Sequence, residues 1–349
     1  SFMTGMYTNQ TKITKNNILI RSTIPEVVTM GQIFRQQGYQ SVRVGKIFHY
    51  DNPGTIGTSG MDDIYSWDQT INPYGRDKVE EYKIKTLSPR RYGGTVSWMA
   101  AEGKDEEQTD GKVASESIGL LKQYADADTS FFLAVGFYKP HTPYVAPKKY
   151  FDLYDPSDIA VPAIPEGYLN TLPKSAGKTV TAFKNQINLP EETARKAIHA
   201  YYSTISFVDA QIGRVLDSLD ELGLRDNTIV LFSSDHGYHM GEHGHFQKNT
   251  LFENADRVPL ILSAPGMKES GKRTQSFAEM IDFYRTLSDL AGLPKPPEYV
   301  KGVSLKPVLQ NISKAPRLNS FTQLVTGYTL RTRDFRVTMW KEGAPDNYE

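Results

Sequence analysis

The chain has 349 residues, enough for one large α/β domain or a large domain with a small one beside it. Hydrophobic residues make up 39% and charged residues 23%, ordinary for a globular protein, and 40 basic side chains balance 40 acidic ones. That neutrality argues against a general nucleic-acid or membrane-surface binder; no apolar run approaches the ~18 residues that span a bilayer, and the absence of cysteine excludes a disulfide framework or a thiolate metal site.

Residues 25–38 carry Val28, Met30, Ile33 and Phe34 at helical spacing, with proline in the first turn and glycine after the end, which predicts a helix. Residues 41–48 read as a short strand running into Gly45 and His49. Residues 50–109 show little periodicity and are expected to be a long excursion with few regular elements. A helix over 110–125, capped by Asp110, presents Val113, Ile118 and Leu121 on one face. The apolar run 131–137 predicts a central strand buried on both faces, feeding into Tyr138-Lys139-Pro140-His141. Residues 155–190 read as proline-rich loop, and a long helix is expected from about 190 to 222, closed by Gly223. Two further buried strands, 227–232 and 258–262, precede a helix over 275–291. Near the end, 328–331 and 335–340 flank a charged turn and predict an antiparallel hairpin.

Strand and helix alternate through most of the chain. That rhythm predicts an α/β fold: a mostly parallel, doubly wound sheet flanked by helices over residues 1–300. The start of a small C-terminal antiparallel α+β subdomain is expected over 301–349.

Four of the seven histidines lie between 236 and 245. Asp235 and His236 directly follow a predicted strand, and a carboxylate beside a neutral imidazole suits a divalent cation. In the same segment His239-Met240-Gly241-Glu242-His243 matches a zinc-protease pattern that needs both histidines on one helical face. Gly237, Gly241 and Gly244 punctuate it, each costing about 1 kcal/mol in a helix interior, so a helix is not expected there. Lys46 with His49, His141 between Pro140 and Pro143, and Lys248 also stand near predicted strand ends. Singly each reads as a solvated loop residue. Together they suit a tetrahedral oxyanion ester: cations stabilise charge on its oxygens, imidazoles shuttle protons, and a metal orients the anion.

Gly45-Lys46-x-x-His49, Lys139-Pro140-His141-x-Pro143, Ser234-Asp235-His236-Gly237 with Gly241-Glu242-His243-Gly244, and Lys248 occur in an order that resembles the type I sulfatases. Val258-Pro259-Leu260-Ile261 with Pro265-Gly266, and Gly327-Tyr328-x-x-Arg331-Thr332, extend the resemblance over nearly the whole chain. Within the family, His236 followed by Gly-Glu-His-Gly is most similar to the iduronate-2-sulfatase branch.

The resemblance implies an alkaline-phosphatase-like fold and hydrolysis of a sulfate ester on a sulfated carbohydrate, such as a 2-O-sulfated uronate of glycosaminoglycan fragments. No nucleic-acid or membrane partner is implied. The family's nucleophile is a formylglycine made within a C-x-P-S-R motif. Ser1-Phe2-Met3-Thr4-Gly5 resembles the tail of that signature, so the modified residue is expected just before Ser1 and outside this chain, with a pair of metal-ligating aspartates further upstream. Asp235 and His236 would complete a calcium site, with magnesium as the alternative ion. Lys46 would contact formylglycine and sulfate, His49 would assist sulfate elimination, and His141 and Lys248 would bind sulfate, one of them protonating the departing sugar hydroxyl. Tyr238 and His239 are candidates for sugar contact, with packing the alternative for Tyr238. Export to a periplasm, a lysosome or the outside is the family expectation. A phosphonate or phosphodiester hydrolase on the same scaffold, and a non-catalytic binder of sulfated glycans, stand as alternatives.

Overall fold

The computed structural model describes residues 1–89, 92–324, 327–340 and 347–348. Its strands are β1 (Gln40–Gly45), β2 (Gln69–Ile71), β3 (Lys85–Thr86), β4 (Ser97–Ala101), β5 (Phe131–Gly136), β6 (Tyr144–Pro147), β7 (Val230–Ser233), β8 (Leu260–Ser263), β9 (Asn319–Leu324), β10 (Gly327–Thr332), β11 (Arg336–Trp340) and β12 (Asn347–Tyr348). The unit that positions the site is the parallel sheet β2-β1-β5, with β1 and β5 in register from Gln40↔Phe131 to Gly45↔Gly136.

Side chains alternate across a strand, so β5 feeds two cores. Phe131, Leu133 and Val135 pack with Val42, Val44, Val113 and Leu120 beneath the helix Thr109–Asp126. Phe132 and Ala134 pack on the other face with Ile33, Phe34, Trp67 and Tyr284, from the helices Met30–Gln36 and Asp282–Leu290. The sheet is therefore covered on both faces, the doubly wound arrangement that the alternating pattern predicts. A third core lies between β4, β6 and the long helix Glu191–Glu221, where Val96, Tyr144, Ala194, Ala197 and Ile198 meet. Strands β9 to β12 form an antiparallel sheet.

The structure departs from the sequence reading in several places. The three apolar strands expected to be buried on both faces are only half-buried along β5, β7 and β8. Among the described residues β5 pairs only with β1, β7 pairs only with β8, and both β5 and β7 line a cavity of about 1550 Å³. The β7–β8 pairing is antiparallel. Residues 275–281 are not helical. Asp282 accepts from Glu279 N at 2.8 Å and from Arg317 Nε at 2.8 Å, and Glu279 accepts from Phe321 N at 2.9 Å, which ties the segment to β9. The proline-rich stretch holds the helix Lys174–Val180, and β6, unforeseen, pairs in parallel with β4. Glu242–Gly244 makes one tight turn, with φ of +115° at Gly241 and +57° at His243, in place of any metal-binding helix.

Candidate active site

Two glycines bring the first elements of the site together. Gly45 ends β1 with φ +75°, and a Cβ there would lie 2.1 Å from the Gly136 carbonyl oxygen. A Cβ on Gly136 would lie 1.8 Å from the Lys46 carbonyl oxygen. Only paired glycines allow this approach, and Lys46 N donates to Gly136 O at 2.7 Å across it. Arg43, fully buried in β1, pairs with Asp62 and donates to Gly45 O at 2.6 Å, so the turn that presents Lys46 is held from beneath.

Lys46 Nζ donates to Asp235 Oδ2 at 2.9 Å, although the two residues are 189 positions apart. Asp235 follows β7, and His236 Nε2 stands 3.6 Å from Asp235 Oδ1. His236 Nδ1 lies 2.8 Å from Gly237 O, which assigns the ring proton to Nδ1 and leaves the Nε2 lone pair facing the carboxylate.

The segment after His236 doubles back, with His239 N donating to Gln247 O at 2.9 Å and Gly241 N to His245 O at 2.9 Å, and so returns Lys248 to the site. Lys248 Nζ donates to His141 Nε2 at 2.6 Å, while His141 Nδ1 donates to Thr142 O at 2.5 Å. Lys46, His49, His141, Asp235, His236 and Lys248 line one cavity, with Ser1, Tyr7, Asn16 and Asn249 beside them. His49 is exposed at its rim.

The electrostatics match the geometry. Burial, then Lys248 and Lys46, hold the His141 imidazole well below its ordinary value, so it stays neutral. Burial and the Lys46 charge bring Lys248 down to about 8. Burial alone would raise Asp235, but Lys46, His236 and Lys248 hold it well below the usual carboxylate range. Partial burial and both lysines lower His49. The cluster thus holds two ammonium groups, one carboxylate and neutral imidazoles.

Asp235 and His236 offer one oxygen and one nitrogen donor that converge, a pair that fits a divalent cation. No group of three or more His, Asp or Glu side chains able to hold a metal occurs among the described residues. A cation held here would take its remaining ligands from outside these two side chains.

Tyr238 and His239 do not join the cluster. His239 is fully buried, with Nε2 at 2.8 Å from Thr250 Oγ1, and packs against His245 and Phe252. Tyr238 donates to Phe246 O at 3.2 Å and stacks on Tyr201. A residue read only as a helix cap, Asp110, proves to hold the turn that carries His141.

A sulfatase family profile matches residues 1–293. The chain belongs to the sulfatase family. It is 29% identical to the iduronate 2-sulfatase of Mus musculus over 426 aligned positions, covering 100% of this chain and 76% of that protein. An arylsulfatase of Clostridium perfringens is 37% identical over 201 positions, covering 57% of this chain and 41% of its own length. Among solved structures, a phosphonate monoester hydrolase from Silicibacter pomeroyi superimposes with a TM-score of 0.81 at 20% identity, covering 100% of this chain and 78% of that one. A 2-O GAG sulfatase gives 0.71 at 20% identity, with coverage of 100% and 73%. At that identity the structural matches speak for the alkaline-phosphatase-like fold. Family membership makes a sulfuric ester hydrolase the supported class of activity.

Proposed function

We propose that this sulfatase removes sulfate from a sugar, with the 2-O-sulfated uronate of glycosaminoglycan fragments as its substrate class. One observation carries the chemistry: Lys46, Asp235 and His236 meet the Lys248–His141 pair in one cavity. The similarity to iduronate 2-sulfatase across the full chain supports the substrate class.

In the proposed reaction, Lys46 and Lys248 bind non-bridging oxygens of the sulfate, and His141 holds Lys248 in place through Nε2. The two ammonium groups offset its charge, in a partly desolvated site where such interactions strengthen. As the S–O bond breaks, charge builds on the sugar oxygen. Lys248 carries a proton on Nζ that is shared with His141 Nε2, and its lowered value makes that proton easier to release to the departing oxygen. His141 keeps its own Nδ1 proton on Thr142 O, so its ring stays oriented during the transfer. His49, at the rim, would accept the proton that the nucleophile's hydroxyl gives up when sulfate leaves. A formylglycine upstream would supply the attacking oxygen, and Asp235 and His236 would hold a calcium or magnesium ion whose charge would favour the bound anion. A periplasmic, secreted or lysosomal location belongs to the same reading.

The test is turnover by the full-length protein of a 2-sulfated uronate disaccharide, beside matched aryl sulfate and aryl phosphodiester substrates. Release of sulfate from the disaccharide, abolished by Asp235→Ala, supports the proposal. A faster phosphodiester reaction moves the chain to that hydrolase class, and glycan binding without turnover of any ester moves it to the non-catalytic one.

A further inference from the structure

We infer that Asp110 is a positioning residue that acts on His141 through the turn Tyr138–Pro143, a role that gains catalytic meaning only if His141 works as proposed above. Asp110 lies in the first turn of the helix Thr109–Asp126 and is 1% exposed. An acidic residue there usually serves its own helix. Here the carboxylate instead accepts from Tyr138 N at 2.9 Å and from Lys139 N at 2.8 Å. These amides follow the end of β5 at Gly136 within three residues, where the ladder to β1 has stopped supplying partners.

The turn is held at its far end as well. Lys139 is buried, and its Nζ donates to Pro143 O at 2.9 Å, while the Asp110 and Asp77 charges face it. Thr142 Oγ1 donates to Thr95 O at 2.8 Å. His141 sits between these anchors, with its amide donating to Tyr138 O at 3.0 Å and its ring spanning Thr142 O and Lys248 Nζ. An ionised carboxylate accepts from both amides at once, whereas an asparagine side chain accepts through one atom and presents a donor to the second amide. Burying a carboxylate is costly unless hydrogen bonds and a counter-charge offset it. Asp110 has both, and both belong to the His141 turn; burial still raises its carboxyl to about 6, so it is ionised at neutral pH. The inference therefore assigns Asp110 to the site rather than to the helix.

The experiment labels the histidines of this chain with ¹⁵N and follows all seven imidazoles by long-range ¹H–¹⁵N correlation, with His141 identified from a His141→Gln sample. In Asp110→Asn the His141 ring nitrogens are expected to lose the separation that marks one tautomer, while His199 and His243 stay in place. The control is Asp105→Asn, a buried carboxylate whose side-chain partners are Tyr150, Gln211 and Lys149, none of them in the turn; it should leave His141 unmoved even where it lowers the melting temperature as much. Asp110→Glu, which keeps charge and both acceptors, is expected to restore part of the His141 signature. An unchanged His141 spectrum in folded Asp110→Asn overturns the inference. If that variant does not fold, hydrogen exchange in the unaltered chain decides: Tyr138 and Lys139 amides exchanging as fast as open loop amides refute the clamp.

In an active full-length enzyme, Asp110→Asn should lower kcat about 10- to 100-fold with KM nearly unchanged, the effect of displacing a reacting group by about 1 Å. An inactive wild type would count against the sulfate-ester reading and leave the spectroscopic result standing.

Discussion

His239 and His245 are both fully buried, 5.2 Å apart between ring centroids, and together they are expected to make this protein sensitive to mild acid. Burial lowers His239 to about 3, with the neighbouring His245 and His243 adding to the effect, and lowers His245 to about 4. In the unfolded chain both return to about 6.5. Their folded values are depressed, so the unfolded state binds more protons below that pH. The stabilising contribution is intact above about pH 6.5 and is lost progressively as the pH falls toward the folded values. Between pH 7 and pH 5 each group changes by about 1.4 pH units of linkage, or about 2 kcal/mol, giving about 4 kcal/mol for the pair. That is a large part of a typical domain stability. Urea unfolding followed by tryptophan fluorescence at pH 7 and pH 5 measures the loss directly. The double variant His239→Gln/His245→Gln cannot take up these protons and should lose about 4 kcal/mol less over the same interval, whatever its stability at pH 7. Equal losses in the two proteins would show that these imidazoles are not buried as neutral groups, and the reasoning would fall.

Removing the Asp235 carboxylate should abolish turnover in the full-length enzyme and weaken calcium binding measured by titration calorimetry; unchanged calcium affinity would count against its role as a ligand. Lys248→Met should lower kcat/KM by about 100- to 1000-fold, in line with the loss of a positioned donor, with the larger effect on substrates whose leaving group is a poorly acidic sugar hydroxyl. An aryl sulfate with an acidic leaving group should be less affected, and equal losses on both would argue against proton delivery. Gly136→Ala puts a methyl group 1.8 Å from the Lys46 carbonyl oxygen and must force β1 and β5 apart, so it should cost about 3 kcal/mol or more in urea unfolding. A loss under about 1 kcal/mol would mean the strand ends separate easily.

Much of the site was legible because its residues sit in short motifs at the ends of apolar runs. Gly45-Lys46, Lys139-Pro140-His141 and Asp235-His236 each stand at or just after the end of a strand, which marks them as candidates, although β7 pairs apart from β1 and β5 among the described residues. His239 is a candidate for sugar contact on the resemblance alone, and its burial was not legible in the sequence. The fold-back through Gln247 and His245 buries it, and no local pattern signals that. Asp110 was misread for a related reason, since its spacing relative to its own helix is that of an ordinary first-turn acid, while its partners lie 28 and 29 residues away.

Local chemistry in the sequence decided the alternation of strand and helix, the two faces of β5 and the residue types gathered at the sheet edge, because periodicity and glycine placement act over a few residues. Tertiary structure alone decided the rest: the 189-residue closure of Lys46 onto Asp235, the tautomer of His141 set by Lys248, and which apolar strands stay half-buried. Those features depend on which edges meet and on the charges each group then faces, and neither quantity exists until the chain has folded.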